Sequence, residues 1–367
     1  MKVPLLDLNA QYKDILNDIK KAMDRVFTTH HYILGEQVAE LEKKIAYYCH
    51  CQYAVGCASG SDALMLSLKA LDIGIGDEVI TTPFTFFATA GTIHHIGAKP
   101  VFVDIKEDTF NIDTDKIQEK ITEKTKAIMP VHLFGQPAEM DKIMEIANEY
   151  NLKVIEDNAQ GIGTKYKDKT AGTIGDIGTL SFFPSKNLGA MGDGGMCLTN
   201  NKELAEKLKR LRVHGSTSQY KHKWVGYNSR LDTLQAAVLL VKLQYLDNWS
   251  QGRRDNADYY NEQLKNVPQV ITPKISDKCT SIYNQYTLRV QNRDGLLKHL
   301  RNNNIGCAIY YPLPLHLQEC FAYLGGKEGD YPVAEKSSKE VISIPIYAEL
   351  TKEQQDYIIE KIKGFYV

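Results

Sequence analysis

The sequence predicts an α/β protein: a large domain with a mostly parallel central sheet flanked by helices, then a smaller C-terminal α+β domain. Three observations carry this prediction. β-rich and helical runs alternate from about residue 61 to residue 211, the pattern of parallel strands joined by crossover helices. The chain has 367 residues, more than a single hydrophobic core usually organises. Beyond about residue 250 the alternation gives way to a mixed pattern. The expected division is residues 1–245, including an N-terminal helical arm, and residues 246–367.

Each element follows from its own pattern. "KDILNDIKKAMDRVF" and "GEQVAELEKKIAYYC" carry apolar residues at helical spacing with charge on the other face. "SDALMLSLKALDI" follows the turn "ASG" and opens on Ser61 and Asp62, good residues for a helix N-terminus. "DEVITTP" reads as a strand, "FFATAGTIHHIG" as a helix and "KPVFVDI" as a strand. "KTKAIMPVHLFG" contains a strand, "EMDKIMEIANEYN" is a helix, and "LKVIEDNA" and "IGTLSFFPS" are strands. "GGMCLTN" is short and extended, and "NKELAEKLKRLRVHG" is a strong helix. The run from "TLQAAVLLVKLQYLDNWS" to "YYNEQLKN" is one or two helices, long enough to link domains. The last part holds strand-like "SIYNQYTLRVQ", helical "RDGLLKHLRNNN", the segment "IGCAIYYPLPLH" and a closing helix "TKEQQDYIIEKIKGFY".

Composition excludes several functions. The formal net charge is −1, so no basic excess favours nucleic acid or an anionic membrane surface. The opening "MKVPLLDLNAQYKD" lacks the apolar run of a signal peptide, and no stretch approaches the roughly 18 apolar residues of a transmembrane helix. The seven scattered cysteines have no disulfide-scaffold spacing, which points to reduced thiols and a cytoplasmic location. "CHC" at 49 to 51 lacks C-x-x-C spacing and a second pair, and His30-His31 and His94-His95 read as loop and helix residues, so no metal is expected.

The chemistry centres on Lys186, alone in the glycine-rich "SFFPSKNLGAMGDGG". A lysine there is either a snorkelling surface side chain or an amine tuned for chemistry. Four pieces favour the second. "CASGSDAL" is a small-residue turn opening a helix, suited to a phosphate, although many plain helix caps look the same. Asp157 in "VIEDNAQG" follows an apolar strand, where it is a loop carboxylate or the partner of a cofactor pyridinium nitrogen. Ser181 and Lys186 are spaced to touch a phosphate and the other end of a small ring. "TTPFTFFAT" supplies aromatics that pack in the core or stack on a planar cofactor. Together they suit pyridoxal 5'-phosphate, with burial lowering the lysine pKa.

These stretches also resemble the DegT/StrS group of fold-type I aminotransferases, which aminate keto sugars attached to nucleotides. The likeness covers nearly all of the chain. It runs through "GSDAL", "TTPFTFFAT", "EDNAQG", "SFFPSKNLGAMGDGG", "GYNSRLDTLQAAVL" and "YYPLPLHLQ", in the group's order. The resemblance implies that Lys186 carries the cofactor and moves the proton, and that Asp157 pairs with the ring nitrogen. By the same likeness Gln160 lies against the ring, Phe86 stacks on it, and Ser59, Gly60, Ser61 and Ser181 hold its phosphate. Asn228 reaches the phosphate of the neighbouring subunit in a homodimer with shared sites, and Arg230, Tyr311 and His316 line the sugar site.

The resemblance further implies ping-pong transamination with L-glutamate as donor. The loop "NLGAMGDGG" is similar to those of enzymes aminating sugar C3, which implies a UDP-2-acetamido-2-deoxy-3-keto-hexose or its uronate as acceptor. A dTDP-3-keto-6-deoxyhexose and a 4-keto nucleotide sugar are the alternatives. Other classes on this fold are a sugar 3-dehydratase, which carries histidine in place of the lysine, a non-catalytic cofactor-binding regulator, and an enzyme acting on small amino acids.

Overall fold

The computed structural model describes residues 1–367. Its centre is a seven-stranded sheet of β1 (Tyr53–Cys57), β2 (Glu78–Thr81), β3 (Lys99–Phe102), β4 (Thr125–Ile128), β5 (Lys153–Asp157), β6 (Ile177–Ser181) and β7 (Gly195–Thr199), in the order β1-β7-β6-β5-β4-β2-β3. The β3, β2, β4, β5 and β6 neighbours pair parallel. At the other edge β7 runs antiparallel to both β6 and β1. The mostly parallel sheet expected from the alternation is present. β1 is the strand the sequence pattern hides, because Ala54 and Gly56 break any β-branched run.

Helices cover both faces, and the period-2 alternation of strand side chains shows it. Val79 and Ile155 point into a core with Leu64, Leu68 and Ile93, from α4 (Gly60–Ala70) and α5 (Ala88–His95). Their neighbours Ile80 and Val154 point the other way, onto Ile143 and Ile146 of α6 (Met140–Glu149). The N-terminal arm forms a short turn of helix, α1 (Leu8–Tyr12), and two longer helices, α2 (Leu16–Thr29) and α3 (Glu36–Tyr48). Val38, Leu41 and Ile45 of the second pack with Leu180, Phe182 and Leu239. No helix is long and apolar enough to cross a membrane.

The two helices read from the long run are Thr233–Leu243 and Leu246–Leu264. The second carries the chain between cores: Leu246 belongs with the sheet-side cluster, Ala257, Tyr260 and Leu264 with the C-terminal one. There, antiparallel Val270–Ile271, Tyr286–Val290 and Val341–Ile344 form a three-stranded sheet, with the helices Arg293–Asn302 and Lys352–Phe365 packed nearby. Val3, from the start of the chain, is buried in this same cluster. The segment "IGCAIYYPLPLH" forms no strand beyond single bridges at Ile305 and Ala308.

The end of β5 is braced by a buried pair. Glu156 is fully enclosed, its carboxylate 2.8 Å from His132 Nε2 and accepting from the N–H groups of Gly172, Ile174 and Gly175. Ala138 N–H donates to His132 Nδ1, so the proton sits on Nε2 and is donated to Glu156. Burial alone would raise the Glu156 pKa, but the His132 bond and the backbone amides hold it below its ordinary value. Removing one member of such a cluster leaves desolvated donors unpaired. Glu156→Ala is therefore expected to destabilise the fold by about 3–5 kcal/mol in urea unfolding. Because the folded pKa is depressed, the glutamate's stabilisation is present at neutral pH and is lost as pH falls through that lowered value. The variant should show a flatter stability profile in acid.

Candidate active site

A cavity of about 390 Å³ opens where the carboxyl ends of β5 and β6 meet the N-terminus of α4. This is where an open α/β sheet places its ligands. One corner is an anion cradle. Ser59 caps α4, its Oγ accepting from Asp62 N–H at 3.1 Å, and the first turn leaves N–H groups with no carbonyl behind them. A Cβ on Gly60 would stand 2.7 Å from Ser181 Cβ, and one on Gly195 would stand 2.2 Å from Ser59 O. Glycine at both positions lets the helix end close on the strand ends, so Ser181 shares the corner with Ser59, Gly60 and Ser61.

Asp157 lies on the floor and is buried. Its Oδ2 accepts from Thr89 Oγ1 at 2.7 Å and its Oδ1 from Ala159 N–H at 3.2 Å. Thr85 Oγ1 is 3.1 Å from Thr89 Oγ1, extending the chain of hydroxyls. Burial raises the Asp157 pKa, opposed by the Thr89 and Ala159 bonds and by the charge of Lys186.

Lys186 follows β6 in a tight turn closed by Lys186 N–H to Phe183 O at 2.8 Å and Ala190 N–H to Phe182 O at 2.8 Å. Its side chain lines the cavity, where burial brings its pKa down to about 8, against the opposing pull of Asp157. Asn187 beside it is anchored, donating to Ile282 O at 3.1 Å and accepting from Asn284 Nδ2 at 2.8 Å.

Gln160 bridges the wall: its Oε1 accepts from Phe134 N–H at 2.7 Å, and its Nε2 donates to Tyr311 OH at 3.2 Å. Phe86 stands at the rim, 59% exposed, with its ring free on the cavity side.

The structure thus brings Ser59, Gly60, Ser61, Phe86, Asp157, Gln160, Ser181, Lys186 and Tyr311 around one cavity. It does not bring the other three there. Asn228 is exposed and Arg230 half-exposed, both outside this wall. Ser229 between them turns inward, donating to Asp62 Oδ2 at 2.6 Å and accepting from Ala58 N–H at 3.3 Å, which fastens the "GYNSRLD" motif to the anion cradle. His316, expected at the sugar site, is instead 2% exposed and lies behind the wall. Glu335 draws it inward, with Nε2 3.0 Å from Oε1, and Tyr331 covers its ring at 4.6 Å between centroids.

The sequence reading missed Thr89, Thr85, Gln285, Tyr310 and Asp193 at this site. A signal existed for Thr89. It closes the quoted "TTPFTFFAT", three residues after Phe86 and so one helical turn away from it. Gln285 carried none, because it arrives from the C-terminal part of the chain.

The residues fit pyridoxal phosphate by their donor set. Backbone N–H groups and hydroxyls gather in a glycine-tight corner suited to the phosphate, a buried carboxylate on the floor is of the kind that would hold a ring nitrogen, and a low-pKa amine lines the same cavity. Comparison with known proteins agrees. The pleiotropic regulatory protein of Geobacillus stearothermophilus is 52% identical, over 100% of this chain and 99% of its own. The dTDP-3-amino-3,6-dideoxy-alpha-D-galactopyranose transaminase of Aneurinibacillus thermoaerophilus is 44% identical, over 99% of each chain. The UDP-N-acetyl-3-dehydro-alpha-D-glucosamine 3-aminotransferase of Acidithiobacillus ferrooxidans is 43% identical, over 96% of this chain and 95% of its own. The crystal structure of S. venezuelae DesV superposes with a TM-score of 0.97 at 38% identity, covering 100% of this chain and 98% of that one. With a match over residues 13–363, the chain belongs to the DegT/DnrJ/EryC1/StrS aminotransferase family, and it is a pyridoxal-phosphate-dependent sugar aminotransferase.

Proposed function

We propose that this enzyme converts a UDP-linked 2-acetamido-2-deoxy-3-keto-hexose, or its uronate, to the 3-amino sugar with L-glutamate as donor. The observation that carries the reaction is Lys186 and Asp157 set on one cavity beside the α4 anion cradle. The choice of C3 rests on the loop "NLGAMGDGG", which borders the cavity through Asp193 and Gly194 and so limits which sugar carbon comes within reach. The UDP sugar is supported by the likeness to the Acidithiobacillus 3-aminotransferase. A dTDP-3-keto-6-deoxyhexose is the second reading, favoured by the slightly higher likeness to the Aneurinibacillus transaminase, 44% against 43%. The regulatory name borne by the Geobacillus relative belongs to that protein, and the formal net charge of −1 here offers no basic excess for a nucleic-acid partner. The seven unpaired cysteines favour the cytosol.

Each residue has a task. Ser59, Gly60, Ser61 and Ser181 bind the phosphate, and the face of Phe86 orients the ring. Asp157, whose carboxylate is oriented by Thr89 and the Ala159 amide, holds a proton on the ring nitrogen. When bound, pyridoxal phosphate supplies an electron sink for the carbon that loses its proton. Lys186 Nζ, whose low pKa favours the free amine, takes that proton from the donor α-carbon and later returns one to the sugar carbon. Gln160 and Tyr311 fix the wall on which the acceptor sugar rests. Arg230 meets the nucleotide diphosphate or a sugar carboxylate. The exposed Asn228 reaches the phosphate of a neighbouring protomer, making the working unit a homodimer with shared sites.

Lys186→Ala should lower turnover by at least about 10²–10⁴-fold, the usual contribution of a positioned acid–base group, with the circular dichroism of the fold unchanged. Asp157→Asn should lose more than about tenfold, equivalent to 1.4 kcal/mol of barrier, with only modest loss of cofactor. A smaller loss in a rate assay would remove its role at the ring nitrogen.

Shared sites predict complementation. Mixing Lys186→Ala with Asn228→Ala protomers assembles one intact site per heterodimer, so refolded mixtures should exceed the mean activity of the two parents.

With glutamate and a panel of nucleotide sugars followed by mass spectrometry, the 3-keto UDP compound should be aminated. Turnover of 4-keto compounds alone would overturn the assignment of C3.

A further inference from the structure

Next to the cofactor cavity lies a much smaller one of about 20 Å³, and next to that a third of about 270 Å³. Gln285 forms part of the wall of both the cofactor cavity and the small one. The small cavity and the third share Asp108, Thr109, Gln136, Lys274 and Ile275, and Gln285 is the residue that the small cavity shares with the cofactor cavity. A polar space needs only about 10–15 Å³ to hold one water molecule.

Gln285 Oε1 is buried and meets no protein donor. Whichever way the amide is turned, one heteroatom lacks a protein partner, and water can serve it as donor or acceptor. The backbone beside it is fixed on three sides. Asn284 N–H donates to Phe134 O at 2.9 Å, and Asn284 Nδ2 donates to Asn187 Oδ1 at 2.8 Å. The buried Arg253 guanidinium donates to Tyr283 O at 2.9 Å and to Asn284 O at 3.4 Å. Because Asn187 directly follows Lys186, the same contacts that hold Gln285 tie it to the catalytic turn.

We propose that Gln285 holds a water molecule at this boundary and that this water is exchanged in the reaction, with the small and outer cavities as its route to solvent. The inference rests on the transamination reading. In the donor half, the nitrogen of the amino acid is retained by the enzyme and its carbon becomes the carbonyl of a 2-oxo acid. The carbonyl oxygen comes from one water, which gives up two protons. In the acceptor half, the keto oxygen of the sugar leaves as one water, taking up two protons, and the retained nitrogen bonds to that carbon. Water is consumed once and released once per cycle, with no external oxidant. Gln285 is a positioning residue for that water.

The test has two arms. Crystals of the full chain, with and without cofactor, should show an ordered water about 2.7–3.2 Å from the Gln285 amide in the small cavity, absent in Gln285→Leu. In stopped-flow half-reactions of the holoenzyme with L-glutamate, Gln285→Leu should slow release of the 2-oxo acid about tenfold, with the dissociation constant for glutamate unchanged. A dry cavity in a wild-type crystal at atomic resolution overturns the proposal whatever the variant does. So does a Gln285→Leu rate within twofold of wild type. Failure of the transamination reading looks different: the wild-type holoenzyme would release no 2-oxo acid, while the crystals still decide whether the water is there.

Discussion

The proposed chemistry depends on one buried carboxylate, Asp157, set on the floor of a cavity beside a buried lysine. Burial pushes Asp157 toward its neutral form, in which it could not hold a proton on a ring nitrogen. Hydrogen bonds from Thr89 and Ala159, with the charge of Lys186, oppose that push. The dependence is mutual. Desolvation lowers the Lys186 pKa to about 8, and the Asp157 charge restrains how far it falls. One enclosure therefore tunes two groups in opposite directions, a pattern typical of acid–base sites.

The scaffold makes that enclosure rigid. Glu156 points away from the cavity and gathers His132 and three backbone amides, so the strand end bearing Asp157 is fixed from behind. Close backbone approach also takes the place of side-chain packing around β6 and the turn that follows it. A Cβ on Gly178 would stand 1.9 Å from Gly172 O, and one on Gly189 would stand 2.4 Å from Pro184 O. The glycines of "SKNLGAMGDGG" are thus positional: they fold the chain after Lys186 tightly enough for Asp193 and Gly194 to join the same wall.

How far the sequence could be read follows from the range of each interaction. Alternating strands and helices are local patterns, and they placed the parallel sheet and the turn carrying Lys186. Motifs compact in sequence, such as "GSDAL" and "EDNAQG", put Ser59, Gly60, Ser61, Asp157 and Gln160 around one cavity because each sits at a strand or helix end. What stayed hidden needed tertiary partners. β1 has no alternation of its own and exists through pairing with β7. Gln285 reaches the cavity only because Arg253 and Asn187 dock its segment there. His316 sits in a motif that otherwise faces the site, and only Glu335, 19 residues further on, reveals that the ring turns inward.

The distribution of exposed apolar residues bears on the shared-site reading. Phe27 is exposed near the end of the first long arm helix, Tyr32, Ile33 and Leu34 between the two, and Tyr220 and Val225 on the segment leading into "GYNSRLD". These groups are not scattered at random. Ile33 bridges Asp232, and Thr233 N–H donates to Tyr32 O at 2.9 Å, so the arm lies against the end of the motif that carries Asn228 and Arg230. In the homodimer proposed above, a second copy seated on this face would cover these side chains and bring Asn228 toward the neighbour's anion cradle. The assembly and the chemistry then depend on the same contact, because Ser229 fixes the motif to its own cradle while Asn228, one residue away, is left facing outward.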